Sequence, residues 1–364
     1  MLAMGFPLIY RQGEGAFDSL GELTAMFGSN PLVVADQFVR EMLGDRTVQV
    51  LAAVGRRPVF APFDGECSPE AIDRASAEAR SAQCDVIVGM GGGKVLDAAK
   101  GVKLQCGLPV VIVPTIASND SPTSRLIITY SAAGEFIGPR FMTTNPDAIL
   151  VDTGIIARAP VRFLVAGIGD ALVTKFEADQ CRDSGVENFF GGRPTEAALC
   201  LADHCYRLVR EYGEKAVADA AATRVTPDLE KVVEACVLLS GLGFEGCGVA
   251  AAHAVGMAIP QLSEIKGVLH GEEVAVGLLT QLVLEGRDDA FMQDILAFYE
   301  AVGLPSTLQQ LGLAVVTDAH LKAIADFAAR PQSRIHNMAM PIDAKRLKDA
   351  LGRANAMATA FRER

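Results

Sequence analysis

"VGMGGGKVLDAAK", residues 88–100, runs an apolar stretch into three consecutive glycines and then into a helical pattern opening near Lys94. Strand, tight glycine turn and helix in that order bring backbone N–H groups, at the positive end of a helix dipole, close to a phosphate. The spacing is not the common G-x-G-x-x-G, and the acidic strand end, Asp36 in "VVADQF", precedes the glycines instead of following them. Taken alone, the glycines could serve only as a turn. Their place after a buried strand, on the edge where open α/β sheets bind ligands, points to a pyrophosphate site at Gly91, Gly92, Gly93 and Lys94.

Outward from this stretch, short β-branched runs alternate with amphipathic segments. "PLVVAD" (31–36), "PVFAPF" (58–63), "CDVIVGM" (84–90), "PVVIVP" (109–114) and "AILVD" (148–152) read as buried parallel strands. Between them, Ser68 followed by Pro69 reads as an N-cap with proline at the first helical position. This alternation predicts a Rossmann-like α/β domain with a parallel sheet over residues 1–158. Past Pro160 the alternation stops. Long helical stretches follow, such as "GDALVTKFEADQC", "TPDLEKVVEACVLLSG" with Thr226 as N-cap, and "HGEEVAVGLLTQLVLEG", predicting an all-helical domain over 159–364 and a cleft between the two.

Composition bounds the function. Half of the 364 residues are hydrophobic, and the net charge of −11 argues against nucleic acid or an anionic membrane as partner. From Gly246 to Ser263 no Lys, Arg, Asp or Glu occurs, but this run contains Pro260 and a histidine and little Leu, Ile or Phe. It reads as a buried helix and not as a membrane span. The N-terminus lacks the basic start of a signal peptide, and none of the eight cysteines forms a C-x-x-C motif. A cytoplasmic enzyme is expected.

Two further regions carry chemistry. "PTIASNDSPTS" (114–124) leaves a strand's carboxyl end dense in hydroxyls and includes Asp120. It suits hydrogen bonds to ribose, nicotinamide or a polyol, or else is a solvated turn. Asp170 in "AGIGDALVTKFEA" reads equally as a first-turn helix acid. His253 lies in an Ala-rich helix and His270 at a helix start; with Asp170 they could form a His₂-carboxylate set with positions left open for water or substrate.

At this point "GGGKVLDAAK", "PTIASNDSPTS", "AGIGDAL", "FEGCGVAAAHAV" and "HGEEVAVGLLTQLVLE" resemble the glycerol dehydrogenases of the iron-containing (group III) alcohol dehydrogenase superfamily. The resemblance runs in unbroken order over nearly the whole chain. It implies a dehydroquinate-synthase-like architecture and NAD- and metal-dependent oxidation of glycerol to dihydroxyacetone, and the reverse. It further implies metal ligands Asp170, His253 and His270; NAD contacts at Asp36, Gly93, Lys94, Asp97, Thr115, Ser118, Ser124, Leu126 and Tyr130; and Asp120 on the substrate hydroxyls. A homo-oligomer is implied, an octamer being one candidate. Asp36 favours NAD over NADP, since a carboxylate near the ribose repels a 2′-phosphate.

Departures from the family pattern refine these expectations. Thr174 stands where the iron-dependent enzymes place a fourth protein ligand, which favours Zn²⁺ with three ligands, Fe²⁺ being the alternative. "HAVGMAI" and "KGVLH" lack polar residues usual near the substrate, and Arg125 replaces a small residue. Arg125 could attract a carboxylate or phosphate, which leaves room for a hydroxy-acid or sugar-phosphate dehydrogenase, or could equally be a surface arginine; a dehydrogenase of another small polyol is a further alternative. A dehydroquinate-synthase-like lyase would need a larger basic cluster.

Overall fold

In the computed structural model, which describes residues 1–364, eight strands follow one another as β1 (Ile9–Gly13), β2 (Pro31–Asp36), β3 (Val59–Phe63), β4 (Val86–Gly91), β5 (Val110–Pro114), β6 (Leu126–Tyr130), β7 (Phe136–Phe141) and β8 (Ala148–Asp152). Six form one parallel sheet in the order β1-β8-β5-β4-β2-β3, while β6 and β7 pair as an antiparallel hairpin. The five expected strands are β2, β3, β4, β5 and β8. β4, β5 and β8 are buried along their whole length, hence their unbroken apolar runs. β1, with the sequence IYRQG, is half-buried at the sheet edge beside β8, and such a strand carries no apolar signature to betray it.

Helices α1 (Leu20–Ala25), α2 (Gln37–Ala52), α3 (Pro69–Ser81), α4 (Gly93–Cys106) and α5 (Thr153–Arg158) belong to the sheet region. The rest are α6 (Val161–Ser184), α7 (Glu196–Ala221), α8 (Pro227–Glu234), α9 (Ser240–Cys247), α10 (Ala251–Ala258), α11 (His270–Leu284), α12 (Asp289–Val302), α13 (Asp318–Ala328) and α14 (Ala344–Arg362). Ser68 caps α3 through the Ala71 N–H and Thr226 caps α8 through the Leu229 N–H, as their sequence positions require.

The chain divides into two compact units. The sheet unit comprises Gly5–Pro160 and also Asp219–Gly241; the helical unit comprises Met1–Met4, Val161–Ala218 and Leu242–Arg364. Residues 219–241, assigned with the helical half on their pattern, therefore pack with the sheet. Gln12 on β1 donates to the carbonyl and carboxylate of Glu230 on α8 (2.8 and 2.6 Å), and Thr153 Oγ1 donates to the same carboxylate at 2.6 Å. Helical periodicity identifies which face of α8 is buried but is silent on what covers it.

Strand order locates the ligand edge of the sheet unit. β3 lies on one side of β2 and β4 on the other, so the winding reverses between β2 and β4. Such a switch point opens a crevice at the carboxyl ends of its strands. Asp36 and Gly91 each stand one residue past the paired Ala35 and Met90, level with one another at that crevice.

In the helical unit, α10, α11, α13 and α14 share a core that includes Ala251, Val255, Val276, Ile324, Leu347 and Leu351. The uncharged run 246–263 is broken there. α9 ends at Cys247, Gly248 turns with φ +113°, and α10 closes into a short 3-10 turn at Ile259–Gln261. No single helix is long and apolar enough to cross a membrane.

Candidate nucleotide and metal sites

The glycine turn is shaped for close approach. Gly91 has φ +150°, and a Cβ there would meet Val95 at 2.9 Å. Gly92 is the N-cap of α4, with no side chain capping it, so the helix N-terminus faces outward at the crevice. On the neighbouring strand Asp36 caps α2 through Oδ1, which accepts from the Val39 N–H at 2.8 Å. Lys94 is exposed and pairs with Glu66 at 2.6 Å.

Asp97 has a different surrounding from the rest of the expected NAD contacts. Its buried carboxylate accepts from Lys100 Nζ (2.9 Å), Ser121 Oγ (2.8 Å) and the Ile128 N–H (2.9 Å). Lys100, with no exposed surface, also donates to the carbonyls of Ser121 and Leu126. The pair thus ties α4 to the polar loop and to β6. Thr115, Ser118 and Ser124 are buried in or beside that loop, and Leu126 and Tyr130, the ends of β6, are half-buried. Thr115 donates its N–H to the Gly91 carbonyl at 3.1 Å, fixing the loop against the glycine turn.

Asp120 is held from a segment far along the chain. Ser240 Oγ donates to its Oδ2 at 3.0 Å, and Thr123 Oγ1 donates to the Val237 carbonyl inside a five-residue π-helical turn, Ala235–Leu239. The return of 219–241 to the sheet unit therefore braces the loop that carries Asp120. Arg125 donates to the Met142 carbonyl and lies over the Phe141 ring, within the hairpin region.

In the helical unit, Asp170 on α6, His253 on α10 and His270 at the start of α11 come together. Nε2 of each histidine lies 3.7 Å from Asp170 Oδ1, and the three donor atoms fall within 4.8 Å of one another. Ligands about 2.1 Å from a tetrahedral ion sit about 3.4 Å apart, so the residues present fit a divalent metal. Thr174, one turn beyond Asp170, is buried and donates to the Asp170 carbonyl at 3.5 Å. It contributes no imidazole, and the set is three residues.

Backbone contact brings these helices together. A Cβ on Gly271, next to His270, would stand 1.7 Å from the Ala166 carbonyl oxygen; one on Gly169, next to Asp170, would stand 2.4 Å from the Gly271 carbonyl oxygen. A Cβ on Gly277 would meet the carbonyl of Ala252, the neighbour of His253, at 2.2 Å. Each ligand is thus one residue from a point where two helices touch main chain to main chain.

Polar partners complete the orientation. Glu272 takes two hydrogen bonds from Arg162 (2.6 and 2.7 Å) and reaches back to the Leu269 N–H at 2.8 Å, securing the turn that carries His270. Burial opposes protonation of His270, but the Glu273 and Asp170 carboxylates outweigh it and raise its pKa above the ordinary histidine value. Glu177 lies beside His253, its Oε2 2.5 Å from Nδ1. Sequence reasoning missed Glu177, Lys100 and Ser240. Glu177 stands seven residues after Asp170, two helical turns on, and that spacing was the available signal.

Residues 7–153 match the profile of the iron-containing alcohol dehydrogenases. The glycerol dehydrogenase of Thermotoga maritima is 44% identical over 351 residues, 96% of this chain and 96% of that protein. The chain belongs to the iron-containing alcohol dehydrogenase family. A glycolaldehyde reductase of Halobacterium salinarum is similar at 39% identity over 98% of each chain. The solved structure of glycerol dehydrogenase from Schizosaccharomyces pombe matches with a TM-score of 0.95 at 35% identity, covering 100% of this chain and 92% of that one. The iron-containing alcohol dehydrogenase family depends on NAD and a metal. A helix N-terminus behind a glycine turn suits a phosphate, and two imidazoles with a carboxylate suit a divalent cation.

Proposed function

We propose that this member of the family oxidises glycerol to dihydroxyacetone, and runs the reverse reaction, with NAD as hydride acceptor and Zn²⁺ held by Asp170, His253 and His270. The reading rests above all on the convergence of those three donor atoms in a chain so similar, over its full length, to glycerol dehydrogenases. Bound there, a dication supplies Lewis acidity that makes a substrate hydroxyl easier to deprotonate. Two neutral imidazoles and one carboxylate leave it a net positive charge for that purpose.

The chain's own groups do the rest. Gly91 to Lys94 and the α4 N-terminus hold the pyrophosphate, and Asp36, engaged through Oδ1, offers Oδ2 to ribose hydroxyls. Thr115, Ser118, Ser124, Leu126 and Tyr130 line the polar loop and β6, where the rest of the cofactor contacts fall. Asp97 acts through Lys100 and Ser121 by holding that loop. Asp120, steadied by Ser240, accepts hydrogen bonds from the polyol. With NAD bound, the nicotinamide would accept the hydride of the carbinol carbon, and water would take the hydroxyl proton.

A homo-oligomer, an octamer being one candidate, and a cytoplasmic location belong to the same reading; all eight cysteines are free thiols, as a reducing compartment keeps them. The test is NADH formation by metal-stripped protein reloaded with Zn²⁺ or Fe²⁺, offered glycerol, ethylene glycol and 1,2-propanediol. Zinc-restored turnover with glycerol is the expected result. Iron-only restoration would replace the metal, and failure with every diol would overturn the substrate.

A further inference from the structure

Glu177 has no exposed surface, and every partner it has is an N–H group of α10 or of the residue leading into it. Oε1 accepts from the main-chain N–H of Ala250 (2.8 Å) and of His253 (2.9 Å), while Oε2 faces His253 Nδ1 at 2.5 Å. A carboxylate has only acceptors to offer, so the imidazole nitrogen facing it carries the proton. A neutral imidazole carries one such proton, which leaves Nε2 unprotonated.

We infer that Glu177 is the positioning residue that holds His253 in its Nδ1–H form and so turns the Nε2 lone pair toward Asp170 and His270. The inference rests on the metal reading of that triad. Without Glu177, the proton is free to move to Nε2, 3.7 Å from Asp170 Oδ1. A small side-chain shift would then join His253 to Asp170 by a direct hydrogen bond and close the set against a cation. Glu177 therefore selects between a metal-accepting triad and a self-satisfied pair. A dication held there would be matched by two carboxylates, Asp170 directly and Glu177 through His253, the two imidazoles being neutral. His270 has a looser counterpart: its Nδ1 lies 3.8 Å from Glu273 Oε2.

Glu177→Gln tests this sharply. The amide keeps a carbonyl oxygen for the two main-chain N–H groups but presents its NH₂ to Nδ1, which forces the proton onto Nε2. In competition with a chromophoric chelator, Zn²⁺ affinity should fall about 10- to 100-fold. In ¹⁵N spectra of histidine-labelled, metal-free protein, with His253 assigned through His253→Asn, the wild type should show a protonated Nδ1 and the variant a protonated Nε2. A residue that merely caps α10 would change neither readout, and unchanged affinity with an unchanged tautomer overturns the inference. Should the variant not fold, the wild-type spectrum decides, a protonated Nε2 being the overturning result. Should the wild type take up no zinc, the triad reading fails, and the tautomer still answers for Glu177.

Discussion

The glycine turn of the sheet unit and the triad of the helical unit are built by opposite means. Gly91, Gly92 and Gly93 belong to one continuous strand, turn and helix, and the geometry that suits them to a phosphate is local. Asp170, His253 and His270 sit on three helices whose separation is set by main-chain contacts at Gly169, Gly271 and Gly277. A local site tolerates distant change, provided its loop is anchored. A site assembled from separate helices is only as accurate as the packing between them.

The largest effect expected on this comparison comes from the anchor of the local site. Asp97→Ala leaves Lys100 buried without its carboxylate, which should cost about 3–5 kcal/mol in denaturant unfolding. NADH binding, followed by fluorescence, should weaken with it while Zn²⁺ affinity stays near the wild-type value. Loss of both together would show that the two sites are not independently built.

Next, Gly271→Ala sets a Cβ against the Ala166 carbonyl, a main-chain atom that cannot move aside alone. Overpacking of this kind costs about 1–3 kcal/mol or more. Chelator competition should reveal Zn²⁺ affinity reduced at least tenfold, with NADH binding kept. If zinc affinity holds, the helix contacts do not set the ligand spacing, and the contrast between the two sites breaks.

The smallest effect is expected from Asp36→Ser. Serine still caps α2, so the melting temperature should barely change. Loss of the carboxylate should weaken NADH binding by about 0.5–1.5 kcal/mol and narrow the preference over NADPH. An unaltered preference would remove Asp36 from the ribose site and sharpen the role of the glycine turn.

How far each region was legible follows from the same contrast. β2, β4, β5 and β8 announced themselves because buried parallel strands demand unbroken apolar runs; β3, expected to be buried like them, lies at the sheet edge and is only partly buried, though its VFAPF is apolar enough to read as a strand. The edge strand β1 carries Tyr10, Arg11 and Gln12, half-buried, and resembles a loop on the page. Asp170, His253 and His270 could be named, through resemblance and the Asp/His chemistry, before their convergence was visible. Glu177 lay within the quoted stretch "AGIGDALVTKFEA" and passed as an ordinary helix acid, because nothing along α6 indicates that the start of α10 lies against it.

By itself the sequence determined the α/β-then-helical order, the strand, glycine turn and helix, the caps at Ser68 and Thr226, and the residue types able to hold a metal. These depend on side-chain periodicity and backbone freedom over a few neighbouring residues. Only the tertiary structure decided that 219–241 returns to the sheet unit, that Asp97 is consumed by Lys100, and that Glu177 stands behind His253. Each of those joins residues far apart in the chain, where the outcome depends on which surfaces pack together and how closely main chains can approach.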